Sequence, residues 1–330
     1  MSGGPAPVSA GGARVAGPRP DRVLVVGASG FVGRHVSAAF ADRGCGVWAV
    51  APRGAPAPPS YPVRLDLLDA PVAELTDLLY RERIGVVVNA AGGVWGLDEE
   101  QMRLRNVVLV DRLVRALVAL PWRCRLIQLG SVHEYAAVPP GTSVDERTPA
   151  DPVTPYGRTK LLGSRVALAA FRSGRVGGLV LRASNVVGAG APPVSLLGRV
   201  AADLAAAAGT ADPVLHLPPL HGRRDFLDAR DLADAVAASV TAGVSGVPVN
   251  VGSGRAVEVR WLVERLVEVS GVGARIVAAD SAGAAAGARR DGGAAWQRLD
   301  IGAAWRLLGW QPRREITDSL ASLWDAVQRT

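Results

Sequence analysis

From Arg22 onward, short apolar runs alternate with segments whose apolar positions recur every three or four residues. RVLVVGAS (22–29), GVWAVAPR (46–53), IGVVVNAAG (84–92), CRLIQLGS (124–131) and VGGLVLRAS (176–184) read as strands, and YPVRLDLLD (61–69) holds another. Between them, FVGRHVSAAFADRG (31–44), VAELTDLLYRER (72–83), RNVVLVDRLVRALVAL (105–120) and TPYGRTKLLGSRVALAAFRSG (154–174) carry helical spacing, two of them ending at a glycine. The strands are apolar on both faces, which predicts a parallel sheet covered by helices on both sides. Right-handed crossovers make such a sheet doubly wound, an α/β Rossmann arrangement.

After residue 185 the pattern loosens. A Gly/Pro loop leads into a helix (188–209), a strand turns into a helix (223–240), and VPVNVGSG (247–254) and WLVERLVEVSG (261–271) add a strand and a helix. DSAGAAAGARRDGGAA (280–295) reads as a flexible loop, and IGAAWRLLGWQP closes a helix at Trp310 and Pro312. The expected organisation is a disordered leader at 1–20, a nucleotide-binding domain at 21–185, and a smaller interleaved C-terminal lobe at 186–330 that binds substrate. Some segments of that lobe return to the sheet, and a cleft forms over the carboxyl ends of its strands. The leader is rich in Gly, Pro and Ala and lacks the apolar core of a signal peptide.

Composition narrows the classes. The net charge of +7 is spread without a block of five basic residues, and aromatics are only 5%, so a nucleic-acid surface is not indicated. The positive balance suits phosphorylated small molecules. Cys45 and Cys124 have neither metal-ligand spacing nor a histidine cluster, so no metal site or disulfide framework is expected, and both read as small core residues. No apolar run reaches the roughly 18–20 residues needed to span a bilayer, and the expected compartment is the cytoplasm.

Gly27, Gly30 and Gly33 follow the first strand and open the first helix. The first permits a sharp turn, the second lets backbone N–H groups approach a pyrophosphate, and the third lets helix and sheet pack closely. The loop residues Ser29, Phe31 and Val32 join them as the expected cofactor-binding set, with Ala90 and Ala91 at the end of the fourth strand. The second strand ends in Arg53 rather than an acid. An arginine there pairs with a 2′-phosphate and favours NADP(H), unless it is merely a solvated loop charge. Asp66, with Leu67 packed beside it, is placed either to bond the adenine edge or to cap its loop.

Lys160 is the single lysine among 37 basic residues. It lies four residues after Tyr156 on a predicted helix, so the two share a face. A free phenol ionises near pH 10, and a neighbouring cation is expected to lower that value. A compact ammonium can also bond the hydroxyls of a cofactor ribose, which a planar guanidinium cannot do in the same space. Ser131 ends the strand CRLIQLGS, where its hydroxyl can polarise a carbonyl beside Tyr156.

These motifs resemble the extended short-chain dehydrogenases/reductases of the NAD(P)-dependent sugar-nucleotide epimerase/dehydratase family. GASGFVG matches G-x-x-G-x-x-G, LGSVHEY the serine strand end, and PYGRTK the Y-x-x-x-K pair. LRASNVVGAG matches L-R-x-x-N-V-Y-G-P-G, with Val187 for Tyr and Ala189 for Pro; RRDFLDARDLADAV, VNVGSG and LGWQP match later landmarks. The resemblance implies a bound NAD(P) and a nucleoside diphosphate sugar. It also implies that Ser131 and Tyr156 hold the reacting C4 oxygen and that Asn185 and Arg224 contact the diphosphate. A homodimer is its weakest implication.

In 4,6-dehydratases of the family, an Asp-Glu pair follows the Ser/Thr. Here Val132 and His133 stand there, so elimination of water is not expected. His133 faces the substrate or serves the loop. The context most resembles reductases of nucleotide-linked 4-keto-6-deoxyhexoses, and Arg53 agrees with NADPH as the reductant, although NAD is not excluded. A 4-epimerase using NAD is the alternative, and a non-catalytic NADP-binding sensor stands behind both.

Overall fold

The predicted alternation produces a seven-stranded, wholly parallel sheet in the computed structural model, which describes residues 17–51, 60–93, 96–278 and 295–329. Its strands are β1 (Arg19–Val26), β2 (Gly46–Val50), β3 (Tyr61–Val63), β4 (Ile84–Asn89), β5 (Arg125–Ser131), β6 (Gly177–Ala183) and β10 (Pro248–Val251). They lie in the order β10-β6-β5-β4-β1-β2-β3. The order reverses between β1 and β4, and it is there that such sheets open a ligand crevice beyond their carboxyl ends. The in-register pair Ser131 and Ala183 brings β5 and β6 to that edge together.

Helices cover both faces. On one side α1 (Phe31–Ala41) and α7 (Ala229–Thr241) pack Val36, Phe40, Leu232 and Val236 against Val25, Val88 and Leu181. On the other, α2 (Val72–Arg81), α4 (Leu109–Val118) and α5 (Pro155–Arg172) bury Leu79, Leu113, Leu117 and Phe171 against Leu24, Val87 and Leu126. The strands bury residues on both faces, as their continuous apolar runs require.

The smaller lobe has its own core. α6 (Leu196–Ala207), α8 (Val259–Ser270) and the last helix, Ile316–Gln328, bury Val200, Leu204, Leu262, Leu266, Leu320 and Trp324. β7 (Asn185–Val187) pairs in parallel with β9 (Arg223–Asp228), which pairs antiparallel with β11 (Ala256–Glu258). β8 (Val214–Leu217) and β12 (Arg275–Ala278) form a separate parallel pair.

Several expectations change. β1 starts at Arg19, inside the expected leader; residues 1–16 lie outside the described residues, as do 280–294 of the expected loop. The run at 61–69 is a strand only to Val63, because Asp66 turns the chain by accepting the Leu68 N–H at 3.0 Å. The helix expected from residue 105 starts six residues earlier. Asp98 and Gln101 form a reciprocal cap on α3 (Glu99–Arg103), which runs through a π-helical turn, Leu104–Val108, into α4. β8, β11, β12 and the last helix lie outside the elements predicted from the sequence.

The two cysteines follow expectation. Cys124 is buried and its Sγ contacts the carbonyls of Ile84 and Gly85; burial pushes its thiol up to about 12. Cys45 is partly buried and packs against the core.

Candidate active site

The glycine loop lies between the carboxyl end of β1 and the start of α1. Gly27 takes a φ of +79°, and a Cβ there would come within 2.8 Å of the Ala91 backbone. A Cβ on Gly33 would lie 2.0 Å from the Gly27 carbonyl, so the first turn of α1 closes on the loop only with glycine at both positions. The Gly30 N–H donates to the Gly27 carbonyl at 3.0 Å, and the Ala90 N–H to the Val26 carbonyl at 3.0 Å. The tight loop, with Ser29, Phe31 and Val32 at the start of α1 and Ala90 and Ala91 beside it, forms a cradle of the kind that accepts a dinucleotide pyrophosphate. The Asp66–Leu67 turn is fixed from α4, where Arg112 donates to the carbonyls of Leu67 at 2.6 Å and of Ala70. One carboxylate oxygen of Asp66, Oδ1, caps this loop by accepting the Leu68 N–H. Arg53 lies outside the described residues.

α5 carries both Tyr156 and Lys160. Thr154 caps the helix by accepting the Gly157 N–H at 3.0 Å, and Pro155 opens the first turn. Lys160 is buried, and its Nζ donates to the Leu129 carbonyl at 2.6 Å. A Cβ on Gly92 would lie 3.7 Å from that Nζ, which places the ammonium between the ends of β4 and β5. Gln128 donates to the same carbonyl at 2.9 Å and accepts from Asn89 at 2.8 Å. Burial pushes the Lys160 ammonium down, partly offset by the Glu134 carboxylate.

Ser131, buried at the end of β5, accepts the His133 N–H on its Oγ at 3.2 Å. Its hydroxyl also favours ionisation of the neighbouring Tyr156 phenol. The His133 ring meets the phenol edge-on, with centroids 5.8 Å apart. The phenol does not show the lowered value that the Tyr–Lys spacing predicts. Burial pushes it up to about 12; Ser131 lowers it and Glu134 raises it further. Lys160 is engaged with a backbone carbonyl, and desolvation of the phenolate wins. Tyr156 is thus a proton-bearing group at neutral pH. Burial, with the Arg224 guanidinium nearby, brings the His133 imidazole down to about 4, so it is neutral at pH 7.

His133 is therefore a neighbour of the phenol, and Arg224 lies within electrostatic reach of His133. Asn185 is less available than expected. Its Nδ2 donates to the Asp225 carbonyl at 2.8 Å and to Gln297 Oε1 at 3.0 Å, so both amide hydrogens are spent inside the lobe.

Two further residues of the site were missed from sequence. Asn106, on the π turn, accepts the Gly93 N–H at 3.2 Å and donates to the Gly93 carbonyl and to Thr159 Oγ at 3.2 and 3.0 Å. It clamps the loop after β4 to the helix bearing Lys160; its signal was an asparagine within an apolar helix run. Glu134 bonds back to the Ser131 N–H at 2.9 Å, and the S-x-x-E spacing of a capping box was its signal. Among the described residues no cluster of acidic, histidine or cysteine side chains could hold a metal ion, and no helix is long and apolar enough to cross a membrane.

Comparison with known proteins agrees with this geometry. The NAD dependent epimerase/dehydratase family matches residues 23–252. A dTDP-6-deoxy-L-talose 4-dehydrogenase (NAD(P)(+)) of Kitasatospora kifunensis is 45% identical over 313 residues, covering 93% of this chain and 96% of that protein. A GDP-6-deoxy-D-mannose reductase of Pseudomonas aeruginosa is 28% identical over 264 residues, covering 78% and 82%. The solved structure of MoeE5 in complex with UDP-glucuronic acid and NAD superposes with a TM-score of 0.78 at 27% identity, over 93% of this chain and 99% of that one. With its parallel sheet, glycine cradle and Ser–Tyr–Lys constellation, this chain belongs to the NAD-dependent epimerase/dehydratase family.

Proposed function

We propose that the protein transfers hydride at C4 of a nucleoside diphosphate 6-deoxyhexose, with NADPH-dependent reduction of the 4-ketone as its working direction. A 4-dehydrogenase and a 4-ketoreductase name one reaction read in opposite directions, so the dehydrogenase relative supports the chemistry without choosing the direction. The observation that carries the reading is the gathering of Ser131, Tyr156 and Lys160 at the carboxyl edge of the sheet, with burial keeping the proton on the phenol. A ketone oxygen held there receives a hydrogen bond from Ser131 and the proton from Tyr156 as charge develops on it.

The bound nicotinamide supplies or accepts the hydride. The residues proposed to hold that cofactor are the Gly27–Gly33 loop, Ala90, Ala91, Asp66, Leu67 and Lys160, with Arg53 proposed for a 2′-phosphate. The sugar nucleotide is proposed to lie between the sheet edge and the lobe built after residue 186, with Arg224 toward its diphosphate. Asn185 reaches a phosphate only by giving up Gln297. Glu134, the one carboxylate in the 131–135 segment, is directed into the protein toward Arg182, so it cannot serve as the base of a water elimination.

The test is absorbance at the reduced-nicotinamide band in both directions. The reactions are a dTDP-4-keto-6-deoxyhexose with NADPH or NADH, and dTDP-6-deoxy-L-talose with NADP+ or NAD+. Turnover with NADPH that falls at least about 100-fold in Tyr156→Phe supports the reading. Arg53→Ala is expected to remove most of any NADPH preference. An enzyme that turns over neither sugar, but interconverts 4-epimers with NAD retained through purification, would replace this reading.

A further inference from the structure

Glu134 is fully buried behind the end of β5, and the hydride chemistry does not call for a carboxylate there. Its Oε1 accepts the Ser131 N–H at 2.9 Å and the Ser164 hydroxyl at 2.8 Å, and its Oε2 accepts from Arg182 Nε at 2.8 Å. One carboxylate thus joins the end of β5, helix α5 and strand β6. Ser164 is four residues beyond Lys160 and eight beyond Tyr156, so all three project from one side of α5.

Two observations show that room was made for this group. A Cβ on Gly130 would lie 2.6 Å from Glu134 Oε1, so a side chain there would displace the carboxylate. Arg182 is itself fixed, with its guanidinium 4.4 Å over the Tyr135 ring, and the Tyr135 hydroxyl donates to Asn250 Oδ1 of β10 at 2.6 Å. A buried ion pair is a weak source of stability once desolvation is counted, so this one is better explained by what it holds in place.

We propose that Glu134 is a positioning residue: by anchoring the Ser131 backbone and Ser164 of α5 to one carboxylate, it sets the spacing of Ser131, Tyr156 and Lys160. The inference rests on the oxidoreductase reading of that triad. The charge of Glu134 also bears on the triad, raising the pH at which the Tyr156 phenol ionises and opposing the effect of burial on Lys160. The other groups facing the phenol are Ser131 and the neutral His133 ring, with Arg224 beyond the histidine and Lys160 on the phenol's own helix.

The test compares Glu134→Gln, which keeps the shape and removes the charge, with Ser164→Ala, which cuts the tie to α5 without changing charge. Both are expected to lower kcat about ten-fold or more. KM and NADPH affinity should stay close to wild type; melting temperature should stay close in Ser164→Ala and fall in Glu134→Gln, which leaves the buried Arg182 charge unpaired. In the NADP+ complex, Tyr156 ionisation is followed by 13C-tyrosine NMR and assigned with Tyr156→Phe. Its midpoint should fall by roughly one pH unit in Glu134→Gln and stay in place in Ser164→Ala. The proposal is overturned if kcat is unchanged in Ser164→Ala, or if kcat, NADPH affinity and melting temperature fall together in both variants, as a purely structural ion pair requires. Glu134→Gln may be replaced by the Glu134→Gln/Arg182→Met double variant if the lone arginine prevents folding. Should wild type turn over no 4-ketosugar, the substrate reading fails by itself, and an unmoved NMR midpoint would still overturn the role of Glu134.

Discussion

A histidine held against a phenol, within electrostatic reach of a guanidinium, in a partly closed crevice is easier to keep neutral than charged. His133 illustrates the sign of that effect. Its folded value is about 4, with burial the larger cause and Arg224 the smaller, against about 6.5 for a free imidazole. As pH falls through about 6.5 the unfolded chain takes up the proton first, so stability falls from there to about 4 and then levels off. Denaturant titrations at pH 7 and pH 5 should show this loss, and His133→Asn should reduce it. An unchanged pH 5 deficit in the variant would mean that His133 is not held neutral. The same scale explains the lone lysine: Lys160 is 7% exposed and bonded to one carbonyl, so a guanidinium would have to displace the loop at Gly92. Its presence at a catalytic spacing was legible, but its effect on Tyr156 was not, because desolvation depends on neighbours that the sequence does not place.

At the scale of elements, α5 and the helix before it place the chemistry. The Thr154 cap fixes where α5 begins and so where Tyr156 emerges. Thr154→Ala should cost about 1 kcal/mol in urea denaturation and lower kcat through Tyr156. The π turn at Leu104–Val108 turns Asn106 toward the loop after β4. Asn106→Ala leaves the Gly93 N–H without that acceptor and frees the loop; NADPH affinity measured by fluorescence titration should fall several-fold, roughly the cost of one buried hydrogen bond. The capped start at Asp98 could have been read from D-x-x-Q, but the one-residue slip that a π turn puts into apolar spacing is hidden here, because Val107, Val108, Leu109 and Val110 are all apolar.

For the whole molecule, Asp225 is the point at which strands from distant parts of the chain are fastened. Its carboxylate accepts from Ser253 N–H and Oγ, both at 2.8 Å, from Gly254 N–H at 3.0 Å and from Leu299 N–H at 3.2 Å. β9, the turn after β10 and the segment following the undescribed 279–294 stretch therefore meet at one buried group. Asp225→Ala leaves several donors unsatisfied and should cost at least about 3 kcal/mol in denaturant unfolding. The same variant should expose the 295–300 segment to proteolysis. Resistance equal to wild type would show that the segment is held by its strand-like pairings, such as Val144 with Leu299, rather than by Asp225.

The sequence by itself determined the doubly wound sheet, the glycine cradle and the Ser131–Tyr156–Lys160 set, because each is written in local spacing: continuous apolar runs, glycines three apart, and two side chains one helical turn apart. Tertiary structure alone decided that Tyr156 keeps its proton, that Asn185 spends its amide within the lobe, and that Glu134 ties β5, α5 and β6 together. Those outcomes depend on desolvation and on partners 30 or more residues away, as with Glu134 and Ser164, and spacing along a chain carries no record of either.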